Sequence, residues 1–312
     1  IAPSMTFQHA TFLPVATPTP VAGLLGRHVV QLSCGGQHCA AVCADDGVYT
    51  WGRGGHGRLG HGDEISRPSP TRIEGCCPHA SQGPHSPICN GAAAVKQVSC
   101  GFAFTLVVDI TGHLYAFGAG ENGRLGTGND VCHLRPTRVD LQAALGCGDV
   151  QARVASPQLA KACGHWSGGG RGRERVLRAA AGSVHTCVLS TFGRVFCCGK
   201  AEWCGFGNAE DEFFLRALPD DVFGGERVQD ISVGAGGYHS LALTHSGEVF
   251  SWGHNRVGQL GCADNVTVVN VCPSPGKGNG VAVQDMHTRT GAGAEAESGS
   301  LARTIGAGDT AA

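Results

Sequence analysis

The sequence predicts an all-β chain, a β-propeller whose blades are sheets of short antiparallel strands, and two observations carry that prediction. The first is an internal repeat, the feature that decides architecture before any local pattern is read. With His38, Phe104, His185 and His239 as anchors, Trp51, Phe117, Cys198 and Trp252 each stand thirteen residues later. Glycine follows every one of them, at Gly52, Gly118, Gly199 and Gly253. Gly57, Gly123, Cys204 and Gly258 come six residues after the aromatic position, and Gly60, Gly126, Gly207 and Gly261 three residues further on. The second observation is composition: the 312 residues include 50 glycines, roughly twice the usual share of ~7%. Glycine costs ~1 kcal/mol relative to alanine inside a helix, so the excess belongs in turns.

Each copy reads as strands. Before the anchors come Leu32-Ser33-Cys34-Gly35, Val98-Ser99-Cys100-Gly101, the weaker Ala179-Ala180-Ala181-Gly182, and Ile231-Ser232-Val233-Gly234. After them come short apolar runs such as Ser240-Leu241-Ala242-Leu243, then a turn glycine at Gly47, Gly112, Gly193 or Gly247. A second run follows, Val48-Tyr49-Thr50-Trp51 or Val249-Phe250-Ser251-Trp252. Apolar runs of this length bounded by glycine are short strands, and Asp46-Gly47 or Ser246-Gly247 between two of them makes a hairpin. A last extended piece, Arg67–Ile73 or Arg135–Val139, contains Pro70 or Pro136, which confines it to an edge or a strand start. Units recurring at intervals of 66, 81 and 54 residues are propeller blades, stacked because no blade can bury its faces alone. The aromatic before glycine is expected to pack between neighbouring blades.

Cys34-Gly35-Gly36-Gln37-His38, Val249-Phe250-Ser251-Trp252-Gly253-His254-Asn255 and Gly258-Gln259-Leu260-Gly261 carry a resemblance. The pattern resembles the repeat of the regulator of chromosome condensation family over residues 28–74, 95–140, 176–220 and 228–272. The resemblance implies a β-propeller of that type, with about four recognisable blades of a ring of about seven. Phe104 departs from the pattern in the second copy, Cys198 and Cys204 in the third, and two extra residues near Ala235-Gly236 in the fourth. These departures predict a distorted third blade. Residues 1–27 read as the tail of a preceding blade, since Pro18-Thr19-Pro20-Val21 is similar to Pro70-Thr71-Arg72-Ile73. Residues 301–312 read as the start of a further one, since Ile305-Gly306-Ala307-Gly308 is similar to Ile231-Ser232-Val233-Gly234. A piece of a longer product is the expectation. Between the blades lie an insertion at 75–94, a Gly/Arg-rich insertion at 141–175 and a low-complexity linker at 273–300, read as surface loops or linkers.

Several function classes fall away. The formal net charge is −2, which favours neither nucleic acid nor an anionic membrane, and no apolar run reaches the ~18 residues that a membrane span needs. The 16 cysteines are scattered, with adjacent pairs at Cys76-Cys77 and Cys197-Cys198. Buried cysteine packs as a small hydrophobe, so a reducing intracellular setting, cytoplasm or nucleus, is expected. Gly52–Gly57 and Gly118–Gly123 both spell G-x-G-x-x-G. The Arg-Leu-Gly after each forbids the helix a dinucleotide site requires, and no cofactor is expected. His38, His185 and His239 share one repeat position and are read as structural, with a ring N–H satisfying a backbone carbonyl. His38 with Cys39 and Cys43, or Cys76 and Cys77 with His79, supply half of a zinc pattern without a second half, and no metal is assigned. Gly168-Gly169-Gly170-Arg171-Gly172-Arg173 is a flexible linker before it is a single-strand binder. No catalytic constellation can be assembled, and no enzyme is expected.

The leading function is a protein-interaction scaffold or regulatory propeller module, because loops on a rigid scaffold suit binding. The resemblance implies partners among small GTPases, ubiquitin-pathway proteins, chromatin or the cytoskeleton, with a ligase or kinase domain fused elsewhere in a larger chain. The alternative it implies is guanine-nucleotide exchange on a Ran-like GTPase. The loops after the aromatic-glycine pairs then offer the contact points Glu121, Asn122, Asn255 and Arg256. A third class, the plant ultraviolet-B photoreceptors, needs clustered tryptophans just before the repeat histidines; Gln37, Val184 and Tyr238 stand there instead.

Overall fold

The computed structural model describes residues 17–44, 47–73, 95–141, 174–207 and 209–261, together with the backbone of 268–273. All of them lie in one compact unit, Ile1–Pro275. Residues 1–16, the 75–94 insertion, most of 141–175 with its Gly/Arg run, the 274–300 linker and the blade start at 301–312 lie outside the described residues, as do Asp46, Cys76, Cys77 and His79.

Among the described residues, sixteen strands form four sheets. The first sheet is β1 (Val29–Cys34), β2 (His38–Cys43), β3 (Gly47–Gly52) and β4 (Arg67–Arg72), and the second is β5 (Val95–Cys100), β6 (Phe104–Asp109), β7 (Leu114–Gly118) and β8 (His133–Val139). The third is β9 (Val176–Ala181), β10 (His185–Ser190), β11 (Val195–Gly199) and β12 (Glu212–Ala217), and the fourth is β13 (Val228–Val233), β14 (His239–Thr244), β15 (Val249–Gly253) and β16 (Val268–Pro273). Each sheet is an antiparallel meander in chain order. The prolines of β4 and β8 therefore sit on outermost strands, where a missing N–H costs least.

One register recurs in every blade. The anchor lies opposite the glycine after the aromatic position, as His38↔Gly52, Phe104↔Gly118, His185↔Gly199 and His239↔Gly253. All four glycines have positive φ, from 101° to 121°. A Cβ on Gly118 would lie 2.5 Å from the Phe104 Cα. The fixed spacing in the sequence is this pairing seen in one dimension.

The third blade keeps the order and the register, so the expected distortion is local. A helical turn, α1 (Ala201–Cys204), replaces the 3₁₀ turns found at Gly55–Gly57 and Glu121–Gly123. The buried Cys204 fills the space beneath it. The two extra residues of the fourth blade are absorbed in a turn closed by Gly237 N–H to the Gly234 carbonyl at 2.7 Å. In the earlier blades a loop N–H reaches Gly101 O and Gly182 O; at this seam the Ser183 N–H reaches Gly237 O instead. Gly237 has taken over the role of the motif glycine.

Because each sheet is an antiparallel meander, the β1–β2 and β3–β4 loops of every blade leave from one face. The turns between the second and third strands of each blade leave from the other. All the sequence-derived contact residues belong to the first face.

Candidate functional site

Two places have enough organisation to carry function: the seams between blades and the loop face they hold in position. The seams are built by repetition. On the innermost strands, Gln31 pairs with both Val98 N–H (2.8 Å) and Val98 O (3.3 Å), and Gln97 does the same with Ala179 (2.9 and 2.8 Å). Ser33 and Ser99 accept from Cys100 N–H and Ala181 N–H. At the third seam Arg178 and Asp230 form an ion pair at the matching position.

The anchor histidines close the same seams. His38 Nε2 lies 2.8 Å from Thr105 Oγ1, and His185 Nε2 lies 2.8 Å from Ser240 Oγ. Thr105 donates its hydroxyl proton to Arg58 O at 2.8 Å, so the His38 Nε2–H must be the donor to Thr105. The ring partner is thus a hydroxyl of the next blade, not the backbone carbonyl expected from sequence. Phe104 offers no such donor at the second seam, where Thr186 keeps the matching bond to Arg124 O at 2.7 Å. Phe117 packs on Gly60, Cys198 on Gly126 and Trp252 on Gly205, so the aromatic position does sit between blades. Trp51 is half-buried, and His239, on the outer side of the fourth blade, is also partly exposed.

Arg58 and Arg124 were not singled out from sequence, although both stand twenty residues after an anchor. Both are buried. Arg58 binds Gly55 O and Phe102 O, and Arg124 binds Glu121 O and Ser183 O, so each ties its own turn to the loop of the next blade. Recurrence of a charged residue at a fixed offset from the anchor was the available signal.

Burial of His38 pushes its pKa down to about 4, with help from the Arg58 charge. His61 is likewise pushed down to about 4 by burial and Arg67. An unfolded imidazole titrates near ~6.5, so between the two values the unfolded chain binds more protons. Stability is full above that upper value and falls as the pH drops towards the lower one. We expect the urea midpoint to fall between neutral pH and about pH 5. His38→Phe should fold and remove its share of the fall, roughly 2 kcal/mol. An unchanged slope in that variant would assign the whole loss to other groups.

On the loop face, Glu121 is exposed with one carboxylate oxygen held by Arg124 at 2.9 Å. Asn122, in the left-handed region at φ 62°, gives Nδ2–H to Asp211 of the third blade at 2.9 Å. Arg256 is exposed. Asn255 is a correction. It is fully buried, and its Oδ1 accepts from Leu260 N–H at 3.0 Å; it shapes the turn and offers a partner nothing. The same face carries an aromatic group that the sequence did not announce. Trp203 lies 5.6 Å from both Tyr238 and His254, ring centre to ring centre. Phe102, 49% exposed, contacts Gly36 of the first blade and approaches the Gly236 position of the fourth. Val257, in the same loop as His254, is 84% exposed.

His38 and the pair Cys39 and Cys43 cannot share an ion. Alternate residues of β2 face opposite sides, and His38 is taken by Thr105. Cys100, with its thiol pushed up to about 12 by burial, packs as an inert apolar group. Among the described residues nine cysteines are free thiols, and no helix is long and apolar enough to cross a membrane.

Four-stranded blades, joined by a repeated set of histidine, arginine, glutamine and aromatic contacts, define a repeat β-propeller. The Regulator of chromosome condensation (RCC1) repeat matches residues 9–42, 45–108, 111–155 and 246–286, more than half of the chain, and the chain belongs to that family. A second description of the repeat matches 29–58, 95–124 and 231–259. Both pass over the third blade, whose sheet nevertheless has the common order. The chain is 29% identical to the Ultraviolet-B receptor UVR8 of Arabidopsis thaliana over 258 residues, covering 83% of this chain and 48% of the relative. It is 30% identical to the Probable E3 ubiquitin-protein ligase HERC3 of Homo sapiens over 268 residues, covering 85% and 21%. It therefore spans half or less of the length of these relatives. Among solved structures, Prp20p from Saccharomyces cerevisiae superimposes with a TM-score of 0.59 at 18% identity, over 82% of this chain and 52% of that one.

Proposed function

We propose that this chain is a protein-interaction module that presents its loop face to a protein partner. The exposed Phe102, Tyr238 and Val257 on that face, with the half-buried Trp203, carry the reading. Exposed apolar patches rimmed by polar residues mark interaction sites, and aromatic residues concentrate in the cores of interfaces. Glu121 and Arg256 stand on the same face and supply charge for the rim. No residue is assigned a catalytic role. An intracellular site, cytoplasm or nucleus, goes with this reading, as does a place as the regulatory arm of a larger chain.

The choice of partner class draws on the relatives. HERC3 is named an E3 ubiquitin-protein ligase, which supports a ubiquitin-pathway partner. Prp20p is described by its binding to Gsp1p and histones, which supports a small GTPase or chromatin. Ultraviolet-B reception is not carried over from UVR8, because Gln37, Val184 and Tyr238 precede the anchors and Trp252 is a buried seam residue.

The test is quantitative affinity capture with the chain and with a Phe102→Ser, Tyr238→Ser, Val257→Ser variant. Partners that depend on this face should be lost by on the order of 30-fold, the effect of removing central interface residues. Equal capture by both proteins would move the binding surface elsewhere. Exchange on a Ran-like GTPase is the alternative. It requires only tighter binding of the nucleotide-free GTPase, without covalent chemistry. Release of fluorescent GDP from a Ran-type GTPase at its unassisted rate would remove the exchange reading and leave the interaction module standing.

A further inference from the structure

We propose that the seam between the first and second blades holds a zinc ion, bound by the His56 imidazole, the Cys132 thiolate and the Glu121 carboxylate. His56 comes from a different blade than Glu121 and Cys132, yet the ligand atoms of all three lie within 4.8 Å of one another. His56 Nδ1 and Cys132 Sγ are 3.8 Å apart. Zinc–sulfur and zinc–nitrogen bonds at a tetrahedral ion require an edge of about 3.6 Å between those atoms, so almost no movement is needed. A thiolate, an imidazole and a carboxylate together select zinc over magnesium or calcium. Three protein ligands leave a fourth position for water, in keeping with exposed His56 and Glu121.

The backbone holds the ligands in place before any ion arrives. Gly57, next to His56, lies so close to Leu134 that a Cβ would be 2.6 Å from its Cα. Gly120, next to Glu121, lies so close to Val131 that a Cβ would be 2.0 Å from its carbonyl oxygen. Gly62 N–H bonds Leu134 O at 2.8 Å across the same seam. Arg124 Nη2 holds Glu121 Oε2 at 2.9 Å, which orients the carboxylate as supporting partners do around metals.

The neighbouring seam is an internal control. His56 occupies the left-handed position, φ 62°, that Asn122 occupies in the next blade at the same φ. Asn122 crosses its seam with a simple hydrogen bond to Asp211. Asparagine and histidine both occur in that conformation more often than other side chains, so the backbone does not dictate which of them stands there. Here histidine takes the position and faces a thiol and a carboxylate. Binding displaces the Cys132 proton to solvent, and the ion's two positive charges meet one thiolate and one carboxylate.

The test is a titration of the reduced chain with cobalt(II), followed by displacement with zinc. A tetrahedral site containing Cys132 gives a thiolate-to-cobalt charge-transfer band in the near ultraviolet. That band should be lost in Cys132→Ser and kept in Cys76→Ser/Cys77→Ser. His56→Asn, which installs the residue of the matching turn and preserves the fold, should weaken binding by at least the roughly 10–100-fold that loss of a mere supporting partner costs. Zinc should also raise the thermal midpoint of the parent chain and not that of Cys132→Ser, because its ligands join two blades. Absence of the band in the parent chain, or its persistence in Cys132→Ser, overturns the assignment.

Discussion

Gly118→Ala is expected to lower the folding stability by about 3 kcal/mol or more. The new Cβ would stand 2.5 Å from Phe104 Cα and 2.6 Å from Ala103 O, and the backbone φ there is 114°. Neither obstacle can swing aside, because both are main-chain atoms of the paired strand. The pairing Phe104↔Gly118 lies at the end of the β6–β7 ladder, where Ala119 N–H then bonds Ala103 O at 3.0 Å. Relief of the clash would therefore break the register that aligns the second blade with both neighbours. Gly55→Ala is the control. A Cβ there meets only Arg53 Nε at 3.6 Å, with no positive φ, and the change should stay within about 1 kcal/mol. Urea midpoints at unchanged slope measure both; equal effects would show that the anchor pairing is not what dictates this glycine.

Phe117→Ala should cost about 4 kcal/mol and loosen the first blade from the second. The ring is fully buried among Ala40, Val42, Val98, Cys100 and Val107, residues of both blades. It also closes over Gly60, where a Cβ would be 2.8 Å from its ring. Blades that touch only their neighbours share stability through such seams, so removal of the ring should cost cooperativity as well as stability. Amide protons of β2 and β3 should then exchange by a local opening that leaves β10 and β11 protected. Cys198→Ala, at the equivalent position of the third blade, removes one sulfur atom and should cost about 1 kcal/mol. A uniform loss of protection across all four sheets after Phe117→Ala would mean that the blades fold as a single unit.

The strand pattern, the turn glycines and the propeller class were legible in the chain itself, for a local reason. Alternation along a strand and the positive φ of a hairpin glycine involve residues near one another in sequence. A repeated unit prints the same spacing each time, and even the thirteen-residue step from anchor to aromatic reports one hairpin's register. The third blade shows where that stops. Its Cys198 and Cys204 predicted distortion, but a cysteine can fill a small gap against Gly126 or under α1, and the sheet absorbed both. Asn255 looked like its exposed neighbour Arg256, and only the hydrogen bond to Leu260 shows that it is internal.

The polar partners and the clusters that need two blades at once were decided by the tertiary structure. Sequence spacing assigned the histidines to one repeat position, but their partners are hydroxyls on the next blade, 67 and 55 residues away. The aromatic face gathers Phe102, Trp203, Tyr238 and His254 from three blades, and no pattern within a blade relates them. His56 belongs to the loop of one blade and Glu121 and Cys132 to the loop of the next, and the local zinc patterns pointed elsewhere. The physical reason is common to all of these. Within a blade the backbone ladder sets geometry from neighbouring residues, whereas across a seam it is set by the packing of one sheet on another. By itself the sequence determined the blade; the stacking of blades determined its site.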